Sequence, residues 1–146
     1  VCGVVYAPKM KELFYAEKGK GAYRNKKRIQ VSECNKLEDA IVATGFPYKN
    51  KVRNMPYLNV ILEKVRGTRR FGAASIDMCY TACGIFEAYW EFGLKAWDVA
   101  AGALILNEAG GRTTDTNGEL LDLFAEDILC SNGILHNDIL KSFEHL

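Results

Sequence analysis

Two carboxylates flank a short turn near the middle of this sequence, and both stand where they could bind a ligand. Residues 86–92 are rich in aromatic side chains that alternate with polar ones, a pattern typical of a β-strand, and Gly93 follows as a turn residue. From Ala96 onward, apolar residues recur at helical spacing. Glu91 is therefore predicted at a strand end, and Asp98 in the first turn of a helix.

The position of Asp98 has two physical explanations. A carboxylate in a first helical turn is stabilised by unpaired backbone N–H groups and by the helix dipole. The same position directs a hard oxygen ligand, of the kind that binds Mg²⁺, into the crevice beyond the strand ends of an α/β sheet. Periodicity does not decide between a helix cap and a ligand.

A second candidate is the turn RFGAA, which begins at Arg70 and opens another predicted helix. Gly72, Ala73 and Ala74 leave backbone N–H groups where they can reach an anion. The same residues are also explained without a ligand, since Gly72 permits a tight turn and the two alanines permit close packing. On its own, this signal is weak.

The rest of the chain supplies the elements that must position these residues. Residues 1–6 and 12–16 are predicted to be antiparallel strands, with a further pairing into Ile29 and Val31, so the first third is a meander. From Ile41 onward, strands alternate with helices, and we predict one α/β domain with a mixed β-sheet. The later predicted elements are strands over 41–44, 68–71, 86–92, 111–114 and 127–130 and helices over 54–66, 72–82, 96–109 and 134–143.

Composition narrows the function classes. The 146 residues are 49% hydrophobic, enough for one core that buries about 70% of the unfolded surface. With 19 basic and 18 acidic side chains, bulk charge gives no reason to expect a nucleic-acid or membrane partner. One basic cluster is explained better as a solvated hairpin tip than as a nucleic-acid patch, because no aromatic residues are interleaved with it. This cluster consists of Arg24, Lys26, Lys27 and Arg28.

The cysteines and the hydropathy favour a cytoplasmic protein. Five cysteines, an odd number without a regular spacing, suit reduced thiols better than a disulfide framework. No apolar run approaches the roughly 20 residues of a membrane span. Neither His136 nor His145 is near a candidate carboxylate in the sequence, so neither is a catalytic candidate.

Four segments together resemble the inositol monophosphatase family. The run WEFGLKAWDVAAGALILNEAGG is similar to the family's C-terminal signature, in which Trp-Asp is followed by small residues, an apolar helix and Glu-Ala-Gly-Gly. The segments GKGAYRNKKRIQVS, ATGFP and RRFGAASIDMCYTACG fall in the family's order and span most of the chain. The resemblance implies the C-terminal part of the inositol monophosphatase and fructose bisphosphatase sugar-phosphatase fold.

The resemblance also implies roles for particular residues. Asp98 matches a carboxylate ligand of catalytic Mg²⁺, and Glu91 matches a glutamate that hydrogen-bonds hydroxyls of the polyol. Gly72, Ala73 and Ala74 match positions beside the bound substrate, although Ala73 stands where family members commonly carry Ser or Thr.

An arginine pair before that turn is shared with many bacterial members. Either Arg69 or Arg70 could face the substrate phosphate, and a surface arginine at a strand end is an equally good explanation. Ala96 replaces the proline that often precedes Trp-Asp in the family.

The family's remaining metal ligands and its water-activating residues lie upstream, and their motif Asp-Pro-x-Asp-Gly-Thr does not occur here. We therefore expect the C-terminal portion of a Mg²⁺-dependent polyol or sugar phosphate phosphatase that lacks catalytic residues of its own and is inactive without an N-terminal half. Fructose bisphosphatase and nucleotide or NADP phosphatase activities are related alternatives.

A non-catalytic binding or assembly module is the competing class, supported by the missing ligands and the basic hairpin. It predicts salt-sensitive binding to an anionic partner. Faces that pack against an absent half would be unusually apolar, so self-association into a homo-oligomer is a further expectation.

Overall fold

The structure is a computed structural model that describes residues 1–144 and 146. Its first sheet is antiparallel, has the strand order β1-β2-β3-β4, and is the meander predicted from the sequence. Buried residues alternate with more exposed ones along the first two strands, so one face of this sheet enters the core. The four strands are β1 (Cys2–Ala7), β2 (Glu12–Glu17), β3 (Ala22–Arg24) and β4 (Lys27–Ile29).

A second sheet carries the βα part of the chain. Its strand order is β6-β5-β7-β9-β8; β6, β5 and β7 run parallel, and β9 is antiparallel to both of its neighbours. Parallel pairing aligns the carboxyl ends of three strands at one edge. The five strands are β5 (Ile41–Thr44), β6 (Gly67–Arg69), β7 (Ala88–Phe92), β8 (Arg112–Thr114) and β9 (Asp127–Ser131).

Helices and sheets alternate in four layers. Two helices lie between the sheets and share one core with both of them, while two others pack with the far face of the second sheet in a second core. Gly102 allows the two inner helices to approach closely, because a methyl group there would meet Met78 at 2.9 Å. The inner helices are α2 (Ala74–Ala82) and α3 (Ala96–Glu108), and the outer ones are α1 (Met55–Leu62) and α4 (His136–Phe143).

The α/β class is confirmed, and several details differ from the sequence predictions. The helices predicted over 72–82 and 134–143 begin at Ala74 and His136, and the strand predicted over 86–92 begins at Ala88. The strands form an antiparallel sheet and a mixed sheet, where one mixed sheet was expected. The first helix ends at Leu62 instead of residue 66, because the amide of Arg66 donates to the carbonyl of Ala40 and leads the chain into β6. The strand predicted over 68–71 occupies Gly67–Arg69 for the same reason.

His136 is fully buried and holds the C-terminal helix against the second sheet. Its ring nitrogens lie 2.8 Å from the Ser131 hydroxyl and 2.9 Å from the Thr114 hydroxyl. Burial, aided by the charge of Arg112, lowers the pKa of His136 from 6.5 to about 4. The second histidine, His145, lies outside the described residues.

Stability is expected to fall as the pH drops from about 6.5 towards 4. In that window the unfolded chain binds a proton at His136 and the folded chain does not, which lowers the free energy of unfolding by about 3 kcal/mol at pH 4. Urea unfolding across this range would measure it, with His136→Gln as the variant that cannot take up the charge. Equal pH slopes for the two proteins would contradict the assignment.

None of the described helices is both long enough and apolar enough to span a membrane.

Candidate substrate pocket

The three parallel strands end at a pocket of about 380 Å³. Its walls come from the segments that follow β5, β6 and β7, and its floor includes the first turn of α3. The carboxyl edge of parallel strands is where α/β sheets bind ligands. We call this the strand-end pocket; it is lined by Gly45, Phe46, Pro47, Tyr48, Arg70, Gly72, Ala73, Ala74, Glu91, Phe92, Gly93, Leu94, Lys95 and Asp98.

Glu91 enters the pocket from the penultimate position of β7 and is half-buried. The Tyr89 hydroxyl donates a short hydrogen bond to it. Burial raises the pKa of Glu91, and the charge of Asp98 acts in the same direction, while the hydrogen bond from Tyr89 and the nearby charge of Arg70 lower it. The carboxylate is thus held in a fixed position as a hydrogen-bond acceptor.

Gly45 forms the opposite wall and leaves no space beside Glu91. A methyl group at Gly45 would overlap the carboxyl carbon and both oxygens of Glu91. The backbone there is fixed, since the Asn54 amide donates to the Gly45 carbonyl at 2.7 Å and to the Thr44 hydroxyl at 2.8 Å. Asn54 is itself buried and accepts from the Trp90 indole N–H at 2.6 Å, so the ends of β5 and β7 are tied together.

Asp98 faces the pocket from the third residue of α3 and has one oxygen committed. Its Oδ2 accepts a hydrogen bond of 2.9 Å from the backbone N–H of Lys95, the residue before the helix. Within residues 1–144 and 146 its Oδ1 has no hydrogen-bond partner. The structure therefore confirms the helix cap, while the ligand role of Asp98 stays a prediction.

The N-terminus of α2 faces the same pocket without a side-chain cap. Gly72 has a φ of +90°, a left-handed conformation that favours glycine, and Ala73 is extended before the helix begins at Ala74. Among the described residues no side chain bonds to the first-turn amides. These amides and the helix dipole suit an anionic group.

The two arginines before this turn diverge. Arg70 lines the pocket, 5.3 Å from the Phe46 ring centroid to the guanidinium carbon. Arg69 is the last residue of β6 and lies outside the pocket lining, with its guanidinium donating to the Thr68 carbonyl at 2.9 Å. The structure thus brings together Glu91, Asp98 and the α2 turn with Arg70, and it does not bring Arg69 to them.

Asp77 is a buried carboxylate that the sequence did not single out. It is 1% exposed, and within the described part of the chain neither of its oxygens has a hydrogen-bond partner. Burial, reinforced by the charge of Glu91, raises its pKa from 3.8 to about 7. The backbone amides of Phe71, Gly72 and Ala73, just before α2, lower this pKa, although none of them forms a hydrogen bond to Asp77.

Asp77→Asn is expected to stabilise the chain at pH 8 by about 2 kcal/mol, because it removes a buried charge that has no partner. Below about pH 4 Asp77 is neutral in both the folded and the unfolded chain and costs the parent protein no stability, and the parent loses stability as the pH rises through about 7. The stability gained by Asp77→Asn should therefore be largest at pH 8 and shrink towards pH 4. Thermal unfolding at pH 4, 6 and 8 measures this, with the exposed Asp39→Asn as control. A gain of the same size at every pH would contradict it.

The pocket carboxylates fit only part of a metal site. An oxygen of Asp98 without a partner suits a hard cation such as Mg²⁺. However, among the described residues no group of three or more His, Cys, Asp or Glu side chains could enclose a metal ion. A metal-ligand role for Asp98 therefore stays a prediction.

Comparison with known proteins gives one consistent family. The model described as the inositol monophosphatase family matches residues 1–146. An inositol-1-monophosphatase of Caulobacter vibrioides is 43% identical over 146 residues, which cover 97% of this chain and 57% of that protein. A protein named putative Nus factor SuhB from Neisseria meningitidis serogroup B is 43% identical over 141 residues, covering 94% of this chain and 54% of that protein.

Solved structures agree with the sequence relatives. An inositol monophosphatase from Anabaena (Nostoc) sp. PCC 7120 superposes with a TM-score of 0.95 and 34% identity, covering 99% of this chain and 59% of that one. The chain thus spans little more than half the length of the relatives it matches.

Proposed function

Because this chain belongs to the inositol monophosphatase family, we propose that it forms the C-terminal portion of a Mg²⁺-dependent phosphatase of inositol monophosphate or a related polyol or sugar phosphate. One observation carries the proposal. Glu91, Asp98 and the uncapped start of α2 meet in one pocket at the carboxyl edge of three parallel strands. A fixed acceptor, a cation ligand and an anion-binding turn are the groups that such a substrate requires.

Each group has a distinct role in the proposal. The backbone amides of Gly72, Ala73 and Ala74 bind the phosphate oxygens, and no hydroxyl at position 73 assists them. Arg70 adds positive charge at the same point, and Arg69 becomes a ligand only if its side chain leaves the Thr68 carbonyl. Glu91 accepts hydrogen bonds from substrate hydroxyls.

Asp98 holds Mg²⁺ together with ligands from the rest of the protein. When bound, Mg²⁺ lowers the pKa of the attacking water and stabilises negative charge on the phosphoryl and leaving oxygens. The contribution of this chain is to hold the carboxylate in place through the Lys95 amide and to orient the substrate. We propose that the N-terminal half supplies the remaining ligands and the water-activating residues, so that the chain alone is inactive.

A chimera tests the substrate class. In it, this chain replaces the matching part of the Caulobacter relative, and Mg²⁺-dependent phosphate release is measured from inositol 1-phosphate and from p-nitrophenyl phosphate, which has no polyol. Glu91→Gln is expected to raise the KM for inositol 1-phosphate about tenfold, the value of one good hydrogen bond to a charged group, and to leave the p-nitrophenyl phosphate KM unchanged. Equal effects on both substrates would refute a polyol contact.

A binding or assembly module is the second candidate. The basic cluster lies at the tip of the β3-β4 hairpin, and Lys26 and Lys27 are exposed. Salt-sensitive binding to an anionic partner that is lost on neutralising these lysines, and kept in Asp98→Asn, would favour it over the phosphatase. We also propose a cytoplasmic location, because all five cysteines are free thiols in the structure.

A further inference from the structure

Asp77 lies behind the turn of residues 71–73, which opens α2 on the strand-end pocket. The backbone amide of Asp77 donates to the Ala73 carbonyl at 3.0 Å, so the two residues are one helical turn apart. A helical side chain leans towards the N-terminal end of its helix, which brings this carboxyl group to the turn amides. Two of the amides that act on it, those of Gly72 and Ala73, also belong to the proposed phosphate site.

The carboxyl group of Asp77 is buried without a partner of its own. It is 1% exposed, and among residues 1–144 and 146 neither of its oxygens has a hydrogen bond. A buried ionised carboxylate normally has a cation or several hydrogen-bond donors beside it, because the protein interior does not solvate its charge as water does. An ionised Asp77 therefore depends on the same amide dipoles that a bound anion needs.

The elements packed against α2 bring no positive charge to this carboxyl group within the described part of the chain. From β7, Glu91 adds negative charge, and Tyr89 adds a hydroxyl whose pKa burial raises well above its usual value. On β9, Cys130 lies near Tyr89, and burial raises the pKa of its thiol. The strand β1 carries no charged side chain, and the charged residue at this end of α3 is the acidic Asp98.

We propose that an anion binds the α2 turn only when Asp77 carries a proton, so that substrate binding takes up a proton from solvent at this side chain. An ionised Asp77 would place a second negative charge behind the amides that hold the phosphate, and burial leaves that charge poorly screened. The neutral acid leaves the amide dipoles to the ligand. The inference rests on the proposed function, because it assumes a phosphate at this turn, and it adds a proton to the binding step.

The size of the effect follows from the protonated fraction of Asp77. Burial, reinforced by the charge of Glu91, raises the pKa of Asp77 to about 7. About nine-tenths of the chains then carry the proton at pH 6, and about one-tenth at pH 8. Since a ligand that binds one form has its affinity reduced by the fraction of that form, an anion should bind about tenfold more weakly at pH 8 than at pH 6.

Sulfate binding tests this linkage, because sulfate stays a dianion over the whole pH range. Isothermal titration calorimetry of the 146-residue chain at pH 5, 6, 7 and 8 gives the dissociation constants. The parent chain should bind about tenfold more tightly at pH 6 than at pH 8, and Asp77→Asn should bind equally at both. Glu91→Gln should keep the dependence and shift it to lower pH, because burial is the larger cause of the raised pKa of Asp77.

Ala74→Pro shows whether the sulfate occupies the turn. Ala74 is the first residue of α2, a position that accepts proline and whose amide takes no part in the hydrogen bonds within the helix. The substitution removes one amide donor from the turn. It should weaken sulfate binding at pH 6 about tenfold, the value of one hydrogen bond to a charged group.

The proton itself can be counted at pH 7. Titrations in two buffers of different ionisation enthalpy should show an uptake of about half a proton per sulfate in the parent and none in Asp77→Asn. A pH dependence that Asp77→Asn retains, or sulfate binding that Ala74→Pro leaves unchanged, would overturn the proposal. Binding that Ala74→Pro weakens but that is equal at pH 6 and pH 8 would refute the proton linkage alone. Absence of sulfate binding at every pH would also refute the phosphate role of the turn, and with it the proposed function.

Discussion

Asp98→Asn is expected to abolish phosphate release in the chimera while leaving the free energy of unfolding within about 0.5 kcal/mol of the parent value. The amide oxygen of asparagine can still accept the hydrogen bond that the Lys95 amide donates at 2.9 Å, so the helix keeps its cap. The negative charge offered to Mg²⁺ is lost. Metal stabilisation of a phosphoryl transition state amounts to several kcal/mol, which corresponds to a loss of about 1,000-fold or more in rate.

Asp98→Ala is the control that separates the two roles of this residue. It removes both the cap and the ligand, so it should lose activity to the same extent and also lose about 1 kcal/mol of stability. Initial rates and urea unfolding of the two variants measure the difference. Full activity in Asp98→Asn would show that the carboxylate is only a helix cap.

Gly45→Ala is expected to destabilise the chain by about 2 kcal/mol, because the end of Glu91 must move and leaves the buried Tyr89 hydroxyl without its acceptor. The added methyl group would occupy the position of the Glu91 carboxylate. The strand end cannot retreat easily, because Asn54 holds the Gly45 carbonyl at 2.7 Å. Glu91 must therefore leave the Tyr89 hydroxyl, and a displaced contact residue costs roughly 100-fold in kcat/KM.

Two further variants test this steric explanation. Gly67→Ala is the matched glycine control, because its added methyl group would meet only the flexible end of Arg69, at 3.2 Å. In Gly45→Ala/Glu91→Ala the clash is absent, so the double variant should be more stable than the sum of the single changes allows. Additive losses in that double-mutant cycle would contradict a direct conflict between Gly45 and Glu91.

The strand-turn-helix unit around Glu91 and Asp98 was predictable because its signals are local. An aromatic alternation ends at Gly93, and a helical period follows, so both carboxylates were expected at the same edge. The structure confirms β7 and α3 with the turn between them. The resemblance then supplied the role of each carboxylate, which periodicity alone left open.

The contacts that the sequence did not reveal are non-local. Gly45 directly follows the strand predicted over 41–44, and its fit against Glu91 follows from the parallel pairing of β5 with β7. Asp77 lies on a predicted helix, but its burial beside Glu91 depends on how α2 packs against the second sheet. The spacing of residues along one segment carries no information about contacts between segments that are far apart in the sequence.

The sequence also did not decide whether Arg69 or Arg70 lines the pocket. Successive side chains of a strand point to opposite faces, so the two arginines point in different directions, and the sequence did not show which of them faces the pocket. The strand ends at Arg69, two residues earlier than predicted, and this places Arg70 in the pocket. Whether either arginine contacts the phosphate stays a prediction.

Mg²⁺-dependent phosphate release from inositol 1-phosphate by the 146-residue chain alone is the most direct test of the proposal that it supplies part of a site. With Asp98 as the one pocket carboxylate assigned to the metal, we expect no release above that of Asp98→Asn. The chimera, assayed under the same conditions, should be active. Release by the chain alone that Asp98→Asn abolishes would show that it completes its own metal site, and would contradict the division into two halves.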